Sequence, residues 1–179
     1  MLRVNGRVYA VPMTTLVLTV VGSDRAGLVA AVADVVTAHG GNWENSQLAE
    51  LSGAFAGIIE VSVPAAQAED LREALSGIQG LVTAAVQATA REAEASRRFS
   101  FQVLGNDQPG IVREVASTLS AHGVSIERMT TQMRDAAMAG GRLFEATIVA
   151  SVPASIDVDT LKSELERLAA EIQVDVTLE

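Results

Sequence analysis

Two loops in this sequence combine residue types and spacing that could bind a ligand. Asp24 lies three residues before Gly27, and Asp107 lies three residues before Gly110. Each loop follows a strand-like segment and precedes apolar residues at helical spacing, so each is predicted to open a helix. The free N–H groups and the positive dipole end at a helix N-terminus favour an anion such as a carboxylate. The aspartate could receive an ammonium group of the same ligand.

The residues around these aspartates and glycines complete two candidate ligand sites. Asn42 and Ser125 open the strands that follow the two helices and could each add a polar contact. The candidates are Asp24, Arg25, Ala26, Gly27, Leu28 and Asn42 in the first site, and Asp107, Gln108, Pro109, Gly110, Ile111 and Ser125 in the second. The aspartates could instead be N-cap residues that accept hydrogen bonds from the first helical turn, and one side chain can serve both roles.

The composition argues against several other kinds of chemistry. The chain has no Cys, which excludes disulfides, thiol nucleophiles and thiolate metal sites. Its two histidines, His39 and His122, each precede a glycine at a predicted helix C-terminus, where we expect them to act as caps. The net charge of −9 disfavours direct binding to nucleic acid. We find no nucleophile beside a base and no cofactor or metal motif, so we expect a protein that is not an enzyme.

The sequence contains one internal repeat. Residues 20–43 align with residues 103–126, which superposes the two aspartates, the two loop glycines and the two Ala-His-Gly segments. A second match, Ser62 to Ala65 with Ser151 to Ala154, places an insertion of about six residues in the second copy. Two copies are too few for a stacked-repeat array. The repeat therefore indicates a duplicated domain.

Each copy has the element order βαββαβ. For the first copy we predict a strand at 16–21, a helix at 28–39, strands at 42–51 and 54–63, a helix at 67–77 and a strand at 81–90. The second copy repeats this order from 99 to 178. The order is that of the α+β ferredoxin-like fold, with both helices on one face of a four-stranded antiparallel sheet. We place the domains at 1–92 and 93–179 and expect them side by side, because open sheet edges must be covered or paired.

The repeated segments resemble those of ACT domains. The resemblance rests on residues 22–29 and 105–112, which form the strand–loop–helix openings, and on residues 38–43 and 121–126, which form the returns into the second strand. Two such units without an attached enzyme are similar to the glycine cleavage system transcriptional repressor group. The resemblance implies a regulatory protein that binds an amino acid where ACT domains meet. The family commonly has Asn at the start of the second strand, which Asn42 matches and Ser125 does not.

The leading functional prediction is therefore a sensor of a small amino acid, forming homo-oligomers and signalling to a protein partner in transcription or enzyme control. The alternatives are a ligand-free dimerisation or assembly module and, less favoured, an enzyme on a ferredoxin-like scaffold. No apolar stretch is long enough to span a membrane, and residues 1–15 do not have the pattern of a signal peptide. We expect a cytoplasmic location.

Three further segments have weaker patterns. The charged residues 91–98 suggest a short linker or an extra helical turn. Residues 133–142, with two adjacent glycines, suggest an elongated, mobile hairpin tip. Glu164, Glu166 and Glu171 surround a leucine stripe and are expected to form a solvated helix face.

Overall fold

The computed structural model describes residues 2–4, 7–9, 11–88, 95–135 and 141–178. The chain forms two compact units, Met1–Ala90 and Arg91–Glu179. The domain boundary predicted between residues 92 and 93 lies outside the described residues, so it stays a prediction. The predicted side-by-side placement of the domains likewise stays a prediction.

The first unit begins with a short hairpin and continues with one βαββαβ set. The hairpin pairs β1 (Leu2–Val4) with β2 (Arg7–Tyr9). The set comprises β3 (Met13–Ser23), α1 (Leu28–Ala38), β4 (Asn42–Leu51), β5 (Ala54–Pro64), a 3-10 turn (Ala65–Gln67), α2 (Ala68–Ser76) and β6 (Leu81–Gln87). The hairpin was not predicted, whereas the order of the other elements was.

The second unit repeats the set. It comprises β7 (Ser96–Asn106), α3 (Ile111–Ala121), β8 (Ser125–Asp135), β9 (Arg142–Pro153), α4 (Val158–Glu171) and β10 (Val174–Leu178). The strands are ordered β4-β5-β3-β6 in the first sheet and β8-β9-β7-β10 in the second, and all neighbouring strands are antiparallel. This arrangement confirms the predicted ferredoxin-like α+β fold.

Alternating burial along the strands produces one hydrophobic core in each unit. In β3, Leu16, Leu18 and Val20 are buried and point toward the helices. The helices contribute apolar stripes at the spacing read from the sequence: Leu28, Val32 and Val36 from α1, Leu71 and Leu75 from α2, and Leu161, Leu165 and Leu168 from α4. Packing of these stripes on one sheet face removes the apolar surface of both layers from water.

A glycine before each candidate loop lets the first and last strands of its sheet approach closely. A Cβ on Gly22 would lie 2.2 Å from the carbonyl oxygen of Gly80. At the equivalent Gly105 it would lie 2.6 Å from a methyl group of Val174. Both copies therefore require glycine here for steric reasons, which explains why the repeat keeps it.

Two of the weaker predictions need correction. The segment 96–98 is neither a linker nor a helical turn, because Ser96, Arg97 and Arg98 pair with residues 151–153 as part of β7. Residues 133–135 are not a loop tip, because β8 extends to Asp135, which pairs with Arg142. Arg142, at the other end of that predicted tip, belongs to β9, and residues 136–140 lie outside the described residues.

The glutamates of α4 do form a solvated face, as predicted. Arg167 pairs with Glu164 at 2.9 Å and with Glu171 at 3.5 Å. Lys162 lies 3.9 Å from Glu166. Because these side chains are exposed, the pairs are ordinary surface interactions of one helix.

Candidate ligand-binding loops

The two candidate loops share one backbone conformation. Gly27 ends the loop between β3 and α1 with φ at 90°, and Gly110 ends the loop between β7 and α3 with φ at 102°. This left-handed region disfavours every residue with a Cβ. A Cβ built on either glycine meets no atom of the described residues within 4 Å. Backbone conformation, and not crowding, therefore selects glycine, and the space beside each loop is open.

The structure rules out the N-cap role considered for the two aspartates. Gly27 and Gly110 occupy the N-cap positions, and in the described chain neither helix receives a side-chain cap. In α1 the first intrahelical bond runs from the Ala31 N–H to the Gly27 carbonyl at 2.9 Å. The amides before Ala31 have no acceptor within the helix, so they are the groups that an anion would meet. The side chains of Asp24 and Asp107 are exposed beside them.

Backbone hydrogen bonds fix each loop to the hairpin turn of its own sheet. The Asp24 N–H donates to the Gly53 carbonyl, and the Asp107 N–H donates to the Arg142 carbonyl, both at 2.8 Å. These acceptors lie at the turn ends of the β4–β5 and β8–β9 hairpins. Each loop therefore lies at the hairpin-turn end of its own sheet.

The second residue of each loop connects it to the segment before the last strand. The Arg25 guanidinium donates to the carbonyl of Gln79 at 2.6 Å. At the equivalent position, the Gln108 amide donates to the carbonyl of Ile172. The two contacts are geometrically alike but differ in charge, because only the first loop carries a cation. Arg25 and Gln108 were predicted as ligand contacts, and the structure adds an anchoring role to both.

The other loop candidates divide by exposure. Ala26 and Pro109 are exposed, so their positions are open to a ligand. Leu28 and Ile111 are core residues with only 2% and 4% exposure. Their side chains face away from solvent, so only their backbone N–H groups are candidates for contact.

An apolar neighbour of each loop was missed by sequence reasoning. Val29 and Val112, one residue into their helices, are 44% and 41% exposed. They occupy equivalent positions, so both loops combine free helical amides with an exposed aliphatic side chain. The periodicity of the helix could have revealed them, because both fall outside the buried stripe.

Asn42 is not brought to the first loop within its own domain. It pairs with Ser62 on β5, whereas Ser23, which precedes the loop, pairs with Ala54. These positions on β5 are eight residues apart, or about 26 Å at ~3.3 Å per residue. Asn42 and Asp24 thus lie at opposite ends of the same sheet.

Ser125 shows the same separation in the second domain. It pairs with Ser151, whereas Asn106, the residue before the loop, pairs with Leu143. The cause is topological, because a helix that starts above one end of a sheet returns the chain to the other end. A ligand that touched both parts of a predicted set would need a second copy of the domain, such as that of another chain.

At that opposite end, each sheet has a β-bulge with glutamate as the extra residue. The register shifts between Trp43 and Asn45, which leaves Glu44 unpaired, and between Ile126 and Arg128, which leaves Glu127 unpaired. A bulge redirects its side chain relative to the regular alternation of the strand. Sequence reasoning found neither bulge.

The two bulge glutamates have different partners. The Ser62 hydroxyl and the Asn42 amide donate to Glu44 at 2.6 and 3.0 Å. These bonds, that of Ser62 first, hold the pKa of Glu44 below its ordinary value. Glu127 instead pairs with Arg98 at 2.7 Å. The Asn42 side chain therefore already has a hydrogen-bond partner in the bulge glutamate of its sheet. In the second sheet, the bulge glutamate pairs with an arginine and not with Ser125.

The histidines follow their predicted structural role. His39 is the C-cap of α1, and its Nδ1–H donates to the Val35 carbonyl at 2.8 Å. His122 is the C-cap of α3. Among the described residues, no group of three or more His, Asp or Glu side chains could hold a metal ion, and no helix could cross a membrane.

The sequence and the fold of this chain both match those of known proteins. A family model described as ACT domain matches residues 14–86 and 99–179. A UPF0237 protein of Methanopyrus kandleri is 37% identical over 79 residues, which is 43% of this chain and 80% of that protein. The crystal structure of an unknown protein from Galdieria sulphuraria has a TM-score of 0.86 and 29% identity, covering 94% of this chain and 98% of that one. A candidate glycine cleavage system transcriptional repressor has the same fold, with a TM-score of 0.69, 20% identity and coverage of 93% and 96%.

Proposed function

Because the chain belongs to the ACT domain family, we propose that it is a regulatory protein which binds a small amino acid and signals to a protein partner. The observation that carries the proposal is the pair of glycine-capped loops. Each presents uncapped helical amides, an exposed aspartate and open space. The ligand carboxylate would accept from the amides, and its ammonium group would pair with the aspartate.

The first loop is the better candidate for the site. Arg25 adds a permanent positive charge there, whereas Gln108 is neutral. The first turn of α1 contains no acidic residue, but the first turn of α3 contains Glu114. Arg113 pairs with Glu114 and offsets part of its charge, so the difference between the two loops rests mainly on Arg25.

Regulation requires the ligand to bind one arrangement of the protein better than another. Binding where ACT domains meet, within a homo-oligomer, would meet this requirement. The ligand would then stabilise one assembly, and the protein partner would bind that assembly.

The test is calorimetric titration of the full chain with each of the twenty amino acids. Arg25→Gln introduces the residue found at the equivalent position, so the anchoring bond can be kept while the charge is lost. We expect it to weaken binding about fivefold, because the loss of a nearby opposite charge costs a ligand carboxylate ~1 kcal/mol at a solvated surface.

The control is Gln108→Arg, which adds the charge to the second loop. We expect unchanged affinity at the first site and stronger binding, if any, at the second. Absence of heat with every amino acid would reject the sensor and leave the assembly module. Binding that Arg25→Gln does not alter would reject the first loop as the site.

A further inference from the structure

The outward faces of the two sheets have opposite character, although the domains are duplicates. This face is the one opposite the helices, where solvent exposure normally selects polar side chains. In the first sheet, the outward positions of β3, β5 and β6 are largely aliphatic. We call the following residues the apolar face: Val17, Val21, Ile58, Val82, Ala84 and Val86.

The strand register makes this face contiguous. Val82 pairs with Val21 in one outward row, and Val86 pairs with Val17 in another. Between these rows Thr19 pairs with Ile58. Because such rows alternate along the same strands, their side chains are neighbours on one surface.

Four residues of the apolar face are large aliphatic residues with high exposure. Val82 is 76% exposed, Val86 61%, Ile58 48% and Val21 47%. A depression of about 180 Å³ beside Val17 and Ile58 is also lined by polar residues of β4 and by Glu60, so it marks the polar border of the face. Clusters of this kind on a soluble domain mark interaction sites, whereas single exposed aliphatic residues do not.

The second sheet supplies an internal comparison, because most of its equivalent positions are polar; Leu104, at the position of Val21, is an exception. Val82 corresponds to Asp175, because Val82 pairs with the residue before Gly22 and Asp175 pairs with the residue before Gly105. Where Ile58 pairs with Thr19, the second sheet pairs Thr147 with Gln102.

Ion pairing adds to the polar character of the second sheet. Arg134 and Gln132 both interact with Glu145, the Gln132 amide at 2.6 Å. The fold itself thus does not require apolar residues at these positions. We therefore infer that a requirement specific to the first sheet, other than folding, selects apolar residues there.

We propose that the apolar face is a dimerisation surface, on which the same face of a second copy of this chain packs. A sheet face can be self-complementary about a two-fold axis, and stacked sheets bury such side chains between them. The surface does not include the candidate ligand loops. The proposal therefore stands or fails independently of amino-acid binding.

The charge of the face fits a second copy better than other occupants. Across its three outward rows, which add positions on β4, Glu60 is the only ionisable residue. Two chains of net charge −9 repel each other. They therefore associate with the least electrostatic repulsion through a surface that is nearly uncharged. The rows contain no basic residue, which disfavours an anionic membrane surface or nucleic acid.

The size of the sheet is also compatible with a dimer. Its four strands contain 10, 11, 11 and 7 residues, which at ~3.3 Å per residue and ~4.8 Å between strands gives a face of roughly 600 Å². Stable interfaces bury about 800 Å² per partner. The sheet face supplies most of that area.

Sedimentation velocity over a wide range of protein concentration tests the proposal. The parent chain should dimerise. Val21→Glu should raise the dimer dissociation constant at least tenfold, because it buries an unpaired charge. Leu104→Glu is the matched control, since Leu104 occupies the equivalent position of the second sheet with similar exposure, 41%. It should leave dimerisation unchanged. A parent that stays monomeric, or equal effects of the two variants, would overturn the proposal.

A second variant uses a residue type that the fold already accepts at the equivalent position. Val82→Asp places in the first sheet the residue type that Asp175 already provides in the second, so the fold tolerates it there. It should also weaken the dimer, with an unchanged circular dichroism spectrum. A folded Val82→Asp variant that dimerises as the parent does would contradict the proposed surface.

Cross-linking locates the contact directly. The chain has no Cys, so Thr19→Cys places a single thiol in the central row. A bismaleimide whose reach matches the ~10 Å between stacked sheets should yield covalent dimers with Thr19→Cys. The equivalent Gln102→Cys in the second sheet should yield none. The reverse pattern would assign dimerisation to the second sheet and overturn the proposal.

Discussion

The Ser62 hydroxyl lies 2.6 Å from a carboxylate oxygen of Glu44 and donates a hydrogen bond to it across the β-bulge of the first sheet. The bulge gives Glu44 a position that lies outside the regular pairing of β4 with β5. In the second domain the corresponding bulge residue, Glu127, turns to Arg98 instead. One backbone irregularity is thus kept in both copies, while its side-chain partners have changed.

This contact sets the first prediction. Hydrogen bonds from Ser62 and then Asn42 lower the pKa of Glu44, so the ionised form is favoured in the folded chain. The associated stabilisation is present above the unfolded pKa and is lost as the pH falls through the lowered folded pKa. Ser62→Ala should raise the Glu44 pKa toward its ordinary value, and Asn42→Ala should raise it less. NMR titration of the side-chain carboxyl carbons measures both, and an unchanged pKa in Ser62→Ala would refute the assignment.

The second prediction concerns Asp157, the N-cap of α4. Its carboxylate accepts from the Thr160 hydroxyl at 2.7 Å and from the backbone N–H groups of Asp159 and Thr160. The Thr160 hydroxyl is the main cause of its lowered pKa. Asp157→Ala should lower the melting temperature, and the difference from the parent should shrink as the pH falls through that lowered pKa.

Asp157→Asn is the control for this cap. Asparagine is also a good N-cap residue but does not titrate. Its melting temperature at neutral pH should lie closer to that of the parent than the alanine variant does. Equal losses in both variants at neutral pH would show that charge, and not capping, is responsible.

The third prediction separates conformation from packing at the first loop. Gly27→Ala should destabilise the chain by about 1 kcal/mol, because an L-residue is disfavoured in the left-handed region. Gly77, at the C-cap of α2, has φ at −82° and room for a Cβ. Gly77→Ala should therefore be neutral or slightly stabilising. Urea unfolding measures both, and a neutral Gly27→Ala would mean that the loop adopts another conformation.

Much of the fold could be predicted from the sequence because its signals are local. The helical stripe of Leu71 and Leu75 and the repeat itself depend on periodicity and turn chemistry. The bulge at Glu44 could not be read, because a bulge appears only when two strands are compared in register. The pairing of Ser96 with Pro153 was missed for a related reason. The charged residues Arg97 and Arg98 do not have an apolar strand pattern, and their partner strand is distant in the sequence.

The candidate sites were predicted in part. The loops around Gly27 and Gly110 have the expected form, because an aspartate and a glycine before a helical pattern describe a local structure. Asn42 was grouped with the first loop because it directly follows the helix in the sequence. The helix α1 connects β3 to β4, which run parallel to each other on either side of β5, so it carries the chain back to the other end of the sheet. Neighbours in sequence therefore became distant in space.

The last prediction follows from that distance. Asn42 donates to Glu44 at 3.0 Å and lies at the far end of the sheet from Asp24. If the amino acid contacts the first loop of a single domain, Asn42→Ala should leave its affinity unchanged, whereas Arg25→Gln should weaken it. Calorimetric titration of both variants at low and high protein concentration provides the comparison. A tenfold loss in Asn42→Ala (~1.4 kcal/mol) would contradict the single-domain site. If that loss grew with protein concentration, the second contact would come from the Asn42 side chain of another chain.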